Sequence, residues 1–168
     1  MSDLTLIDSK ESIARLLNQE WIVSGVLQQT AFQLRPGETY LSVNRPFIES
    51  YDFDVAEFIK EHPNFKTEQG DNTYCRASMN VGEVRGMKLS FKGNRLNVNV
   101  EVEPRASHTK SHAGIFARFH GKNIKGGQNF LTDTNYDEPI SVPDILQKMR
   151  WQLLQLSHVE VCEIKQQD

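Results

Sequence analysis

The sequence offers few of the features that usually lead straight to a function. It has two cysteines in 168 residues, Cys75 and Cys162, and their separation fits no metal-ligand or redox spacing. Two free thiols in a reducing compartment is the simpler reading, and a disulfide between distant strands fits the same count. No apolar run approaches the roughly 18 residues of a membrane helix. The N-terminus, Met1-Ser2-Asp3-Leu4, is acidic and lacks the basic-then-apolar order of a secretory signal. These absences point to a cytoplasmic protein with no membrane partner. A Gly-x-Ser-x-Gly elbow, a Walker lysine, a zincin helix, a dinucleotide fingerprint and paired cysteine motifs are also absent. Several large enzyme classes lose their usual signature, and neither a metal nor a cofactor is implied. An enzyme whose residues converge only in space remains compatible with the chain.

What is present suits a globular domain. Apolar residues make up 38% and charged residues 24%, enough for one core with a solvated surface. Residues 1–168 read as a single α+β domain. Asp8-Ser9-Lys10-Glu11 has the form of a capping box, and Ile13, Leu16 and Leu17 follow at helical spacing. They predict a first helix ending near Asn18. Strand-like sequence runs from Trp21 to Arg45, broken by the turn Arg35-Pro36-Gly37-Glu38. A second helix starts at Asp52 or Asp54 and stops at His62-Pro63, because proline disfavours helical geometry in the residue before it. Between Met79 and Met87 a short helix or turn is expected. Leu96, Val98, Val100 and Val102 alternate with polar residues, as one wet and one buried face of a strand require. Ala113 to Phe119 suits another strand. Ser141-Val142-Pro143-Asp144 opens a helix with the core stripe Ile145, Met149, Leu153 and Leu156, and Val159 to Ile164 forms a last strand. Hairpins predominate over βαβ alternation. The expected architecture is an antiparallel or mixed β-sheet with about three helices packed against it.

The charge is unevenly spread. Net charge is −3, yet residues 73–125 hold 10 Lys/Arg against 3 Asp/Glu while the flanking stretches are acidic. Within it, Pro104 to Lys125 holds Arg105, Lys110, Arg118, Lys122 and Lys125, three histidines and no carboxylate. Hydroxyls, histidines and cations at this density suit an oxyanion-binding surface, and His108, Lys110, Arg118 and Lys122 are its candidate ligand-binding residues. The alternative is a solvated loop with carboxylates from elsewhere interleaved. A metal held by His108 and His112 is disfavoured, because a His-x-x-x-His pair shares a face only in a helix and this loop is poorly helical. A second polar row, Tyr40, Ser42 and Asn44, shares one strand face. Such a row can line a cleft, and its simpler reading is the wet face of a half-exposed sheet.

Three short stretches resemble a pattern found in small, largely uncharacterised bacterial proteins. Thr30-Ala31-Phe32 precedes Leu41-Ser42-Val43, as Ala-Phe precedes Leu-Ser-Val there. Asn80-Val81-Gly82-Glu83-Val84-Arg85 is similar to a Gly-x-x-Arg stretch. Ser111-His112-Ala113-Gly114-Ile115 is similar to Pro-Ala-His-Ala followed by an aliphatic strand. The chain departs from the pattern at Gln28-Gln29, in place of small hydroxyl residues, and at Ser111, in place of proline. The resemblance implies no particular activity, but it singles out His112, Ser42 and Arg85 as candidate catalytic residues.

Three functional expectations follow. The leading one is a bacterial accessory or binding protein that contacts an anionic ligand, nucleic acid or protein partner through residues 104–125. The second is an enzyme acting on a nucleotide or nucleic acid, with His112 as acid or base and Arg85 or Arg118 stabilising charge. It requires a cleft in which His112 reaches another polar side chain, Ser42 or Tyr40. The third is a structural or oligomerisation protein using the Trp151 and Leu154 side of the last helix.

Overall fold

The computed structural model describes residues 6–68, 72–91, 94–95, 98–105, 109–133 and 136–165. Its main sheet has seven strands: β1 (Ser12–Leu16), β2 (Leu41–Asn44), β3 (Thr73–Asn80), β4 (Val98–Pro104), β5 (His112–Phe119), β6 (Lys122–Asn123) and β7 (His158–Glu163). They run β6-β5-β2-β1-β3-β7, with β4 along the other edge of β5, and all of these pairings are antiparallel. Among the described residues, three α-helices accompany the sheet: α1 (Tyr51–Glu61), α2 (Val81–Arg85) and α3 (Val142–Leu156). The protein is therefore α+β, built on an antiparallel sheet.

The helix expected from Asp8 to Asn18 is instead a turn followed by strand β1. Asp8 accepts from the Lys10 N–H at 2.7 Å, and its carbonyl accepts from the Glu11 N–H at 2.9 Å, closing a tight turn. Ile13, Ala14, Leu16 and Leu17 are all buried, because β1 lies mid-sheet with helices over both faces. A strand buried on both faces has no polar alternation, and its apolar positions then mimic helical spacing. The stretch expected as strand from Trp21 to Arg45 is mostly otherwise: Ile22–Val23 and Val26–Leu27 form a separate two-stranded ribbon, Gln29–Phe32 is a turn of 3-10 helix, and Leu41–Asn44 joins the main sheet. The remaining expected elements sit close to their predicted places. Asn80 caps α2 by accepting from the Glu83 N–H at 2.9 Å, and Ser141 caps α3, which has proline in its first turn. Val98, Val100 and Val102 are buried and Asn99 is exposed, while Leu96 lies outside the described residues.

The two sheet faces are covered unequally. On one, α3 buries Ile145, Met149 and Leu153 against Ile13, Val43, Ala77 and Ile115. On the other, α1 buries Tyr51, Val55 and Ile59 against Leu16, Tyr74 and Ile164. That helix covers the β1, β3 and β7 half of its face, and the β2 and β5 half lies beside it. Trp151, off the core stripe of α3, is 47% exposed. The cysteines are free. Cys75 lies opposite Val161 and Cys162 opposite Tyr74, so the two thiols point to opposite faces of paired strands and no disulfide joins them. Among the described residues, no helix is long and apolar enough to cross a membrane.

β1 and β2 are joined at a single residue pair, Ala14 with Asn44. Just beyond it lies a buried ion pair, in which Arg45 donates from Nε to Glu11 Oε1 at 2.7 Å and from Nη2 to Glu11 Oε2 at 3.0 Å. Arg45 is 1% exposed. Arg45→Ala strands the Glu11 carboxylate in a dry site and is expected to lower unfolding stability by about 3–5 kcal/mol. The double variant Arg45→Met/Glu11→Leu should recover much of that loss. Denaturant titration of the three chains checks both expectations.

Candidate functional site

Antiparallel register places the polar row of β2 against the start of β5. Asn44 pairs with His112 and Ser42 with Gly114, so all four point to the face that α1 only half covers. Ser42 and His112 are diagonal neighbours across the two strands, within reach of each other. Ser42 Oγ lies 2.5 Å from His112 Nε2. The pair lies on the wall of a cleft of about 690 Å³, a size suited to a nucleotide-sized ligand.

The surroundings hold this pair in place. Gly114 leaves no side chain opposite Ser42, and the Tyr40 ring fills that space: a Cβ on Gly114 would stand 2.6 Å from Tyr40 Cδ2. Tyr40 lies 6.1 Å from the His112 ring and 5.2 Å from Phe116. The Arg105 guanidinium stacks on its face at 4.9 Å. Beneath His112, Ser111 is fully buried. Its Oγ donates to Asp54 Oδ2 at 2.6 Å and accepts from Asn44 Nδ2 at 3.0 Å, and its N–H also reaches Asp54 at 3.2 Å. Ser50 donates to the same carboxylate oxygen at 3.0 Å. These bonds tie α1 to the strand junction that carries His112. Ser111 supplies both a hydroxyl and an N–H to this network.

Arg15 closes the opposite side. Past the Ala14–Asn44 pair the two strands separate, and the Arg15 side chain bridges the gap. Its Nε donates to Ala31 O at 2.5 Å and its Nη1 to Ser42 O at 2.7 Å. The guanidinium stands 5.0 Å over the Trp21 ring. Burial draws its pKa down to about 10, Glu38 opposes that shift, and Arg35 adds to it. Arg15 therefore stays cationic at neutral pH. Among the described residues, neither Arg15 nor Arg35 has a carboxylate within ion-pairing distance, and both line the cleft.

The candidates from the sequence divide clearly. Ser42 and His112 come together, and Thr109 lines the cleft beside them. Arg85 does not join them. It is bonded to Glu101, to Ser9 Oγ at 3.0 Å and to the Val102 carbonyl at 3.0 Å, where it caps the open edge of β4. Arg118 shares His112's face but sits six residues along β5, about 20 Å away. It forms a bidentate pair with Glu103 at 2.7 Å through both nitrogens. Lys122 lies opposite Phe119 and so points to the other face. Lys110 is exposed in the turn before β5. His108 lies outside the described residues. The residues missed from sequence were Arg15, Asp54 and the aromatic wall formed by Trp21, Phe58, His62 and Phe65. Arg15 was hidden by the helical reading of β1. The His62-Pro63 stop was legible, but nothing local showed that it faces Ser42. Among the described residues, no group of three His, Cys, Asp or Glu side chains is placed to hold a metal ion.

No protein-family model matches the chain, and neither a curated protein nor a solved structure does.

Gly114→Ala is expected to displace Tyr40 and cost about 1–3 kcal/mol, while Tyr40→Ala in the same chain should remove most of the clash. Thermal melts of the single and double variants give the coupling. A second expectation concerns pH. Arg118 holds the Glu103 carboxyl below its ordinary range through their hydrogen bond. The pair's contribution is thus complete at neutral pH and fades as pH falls through that depressed value. Glu103 is 40% exposed, so Glu103→Gln should cost less than about 1 kcal/mol at neutral pH. The difference from the parent should vanish in melts recorded under acid conditions.

Proposed function

We propose that the protein is an enzyme that performs nucleophilic transfer or hydrolysis on an anionic, phosphate-bearing substrate bound in this cleft. The observation that carries the reading is the 2.5 Å contact between Ser42 Oγ and His112 Nε2 on a cleft wall. A serine hydroxyl is a weak nucleophile until an adjacent base takes its proton, and this distance suits that transfer. Ser42 Oγ attacks the phosphorus as His112 Nε2 accepts the hydroxyl proton. The bond to the leaving oxygen breaks, and His112 returns the proton to that oxygen. Water, deprotonated by His112, then attacks the phosphorus, the P–Oγ bond breaks, and His112 returns the proton to Ser42 Oγ. Arg15, held on Ser42's own carbonyl, supplies fixed positive charge beside the reacting centre, where developing negative charge is greatest. Tyr40 and the Ser111–Asp54 network act as positioning groups.

A fluorophosphonate probe tests this directly, because it reports an activated serine without knowledge of the substrate. Labelling is expected at Ser42 by peptide mass spectrometry, and His112→Ala should lower its rate by about 100-fold or more. A folded protein that leaves Ser42 unlabelled would reduce the pair to a cross-strand hydrogen bond. A second reading, an accessory protein that holds an anionic ligand or partner without chemistry, draws support from the unpaired Arg15 and Arg35. In this version Thr109 and His112 are the residues of the basic segment that, among the described residues, line the ligand's cleft. It predicts phosphate binding that Arg15→Gln and Arg35→Gln weaken, with no labelling of Ser42.

A further inference from the structure

The cleft wall contributed by α1 and its neighbours is aromatic. Trp21 and Phe65 meet edge to face with centroids 5.8 Å apart, and Phe65 meets Phe58 the same way at 4.9 Å. Phe58 in turn stacks on His62 at 4.2 Å and 15°. All four side chains line the cleft, and none of them is fully buried. Trp21 packs against the main core, and Phe58 and Phe65 against the cluster beneath α1, yet each of the four rings keeps surface that faces the cleft.

His62 is set more tightly than an exposed histidine at a helix end requires. Its Nδ1 lies 2.9 Å from the Phe58 carbonyl oxygen. A carbonyl only accepts, so Nδ1 carries the proton, and in the neutral ring Nε2 presents a lone pair. Stacking on Phe58 and edge contact with Phe65 at 6.1 Å fix the ring plane. The wall therefore combines flat apolar surface with one oriented acceptor. Arg15 and Arg35 line the same cleft together with Glu38, whose charge acts on Arg15 more strongly than that of Arg35.

We propose that this wall is a base-binding subsite and that the substrate class is the nucleotides. The base stacks on the face of the His62 ring that Phe58, stacked on the other side, leaves free. The phosphate lies between Arg15 and Arg35, beside Ser42 and His112. Base-on-aromatic stacking supplies affinity that a sugar phosphate lacks. This assignment rests on the reading of the cleft as the reaction site.

Isothermal titration calorimetry of the full chain with AMP, CMP, ribose 5-phosphate and inorganic phosphate tests it. At least one nucleoside monophosphate should bind about tenfold or more tighter than ribose 5-phosphate. His62→Ala should remove that preference while leaving ribose 5-phosphate affinity unchanged. Phe58→Leu, which keeps an apolar side chain on α1, should weaken nucleotide binding in the same direction. Near-UV circular dichroism identifies the variants that remain folded. Equal binding of nucleotide and ribose 5-phosphate, no binding of any of the four, or a preference that survives both substitutions overturns the base subsite. The two proposals separate cleanly. Ser42 labelling without base preference removes the subsite alone, and base preference without Ser42 labelling removes the reacting pair alone.

Discussion

The site exists because β1 and β2 pair at only one position. At Ala14 and Asn44 the strands are in register. On one side the buried Arg45–Glu11 pair pins them together. On the other, where Leu16 and Ser42 would have continued the ladder, the Arg15 guanidinium takes the Ser42 carbonyl instead. Two arginines thus set a fork in the middle of the sheet. Each buried backbone carbonyl at such a fork needs a donor, and an unpaired one costs about 1–3 kcal/mol. Arg15 meets that need for the buried Ala31 and also takes the more exposed Ser42 carbonyl, and in doing so it brings a positive charge to the place where the strands part.

The Ser42–His112 pair gains its precision from strands rather than loops. Register sets Ser42 diagonally across from His112, and no flexible segment lies between them. The supports are unlike one another in kind. Gly114 acts by absence, since only a residue without Cβ admits the Tyr40 ring. Ser111 acts by valence, donating with two groups to one Asp54 oxygen while accepting from Asn44. Asp54 belongs to α1, so the helix that covers half the sheet face is also fastened to the junction that presents His112. The position of the cleft wall and the position of the imidazole are therefore set by the same hydrogen bonds.

The basic middle of the chain does not become one basic surface. Arg76, Arg85 and Arg118 each meet a glutamate, Glu160, Glu101 and Glu103 respectively. Glu101 and Glu103 come from the same basic stretch, brought alongside by the pairing of β4 with β5. Alternation along a strand then sends Lys122 to the face away from His112. A count of charges along the sequence carries no sign of which carboxylate will stand opposite which arginine. The cleft arginines that, among the described residues, have no carboxylate within ion-pairing distance, Arg15 and Arg35, come from the acidic N-terminal stretch.

The α+β class, the second helix with its His62-Pro63 stop, the capped C-terminal helix and the alternating strand from Val98 to Val102 were all legible locally. Each rests on interactions within a few residues, namely caps, proline geometry and one-sided burial. The polar row Tyr40, Ser42 and Asn44 was equally visible, as was His112 at a loop-to-strand junction. The sequence alone determined which residues shared a strand face. Only the tertiary structure decided that Ser42 meets His112, that Arg15 rather than Arg85 or Arg118 stands beside them, and that β1 is a strand. Register between distant strands and burial from both faces arise from long-range packing, and neither leaves a signature in the neighbouring residues.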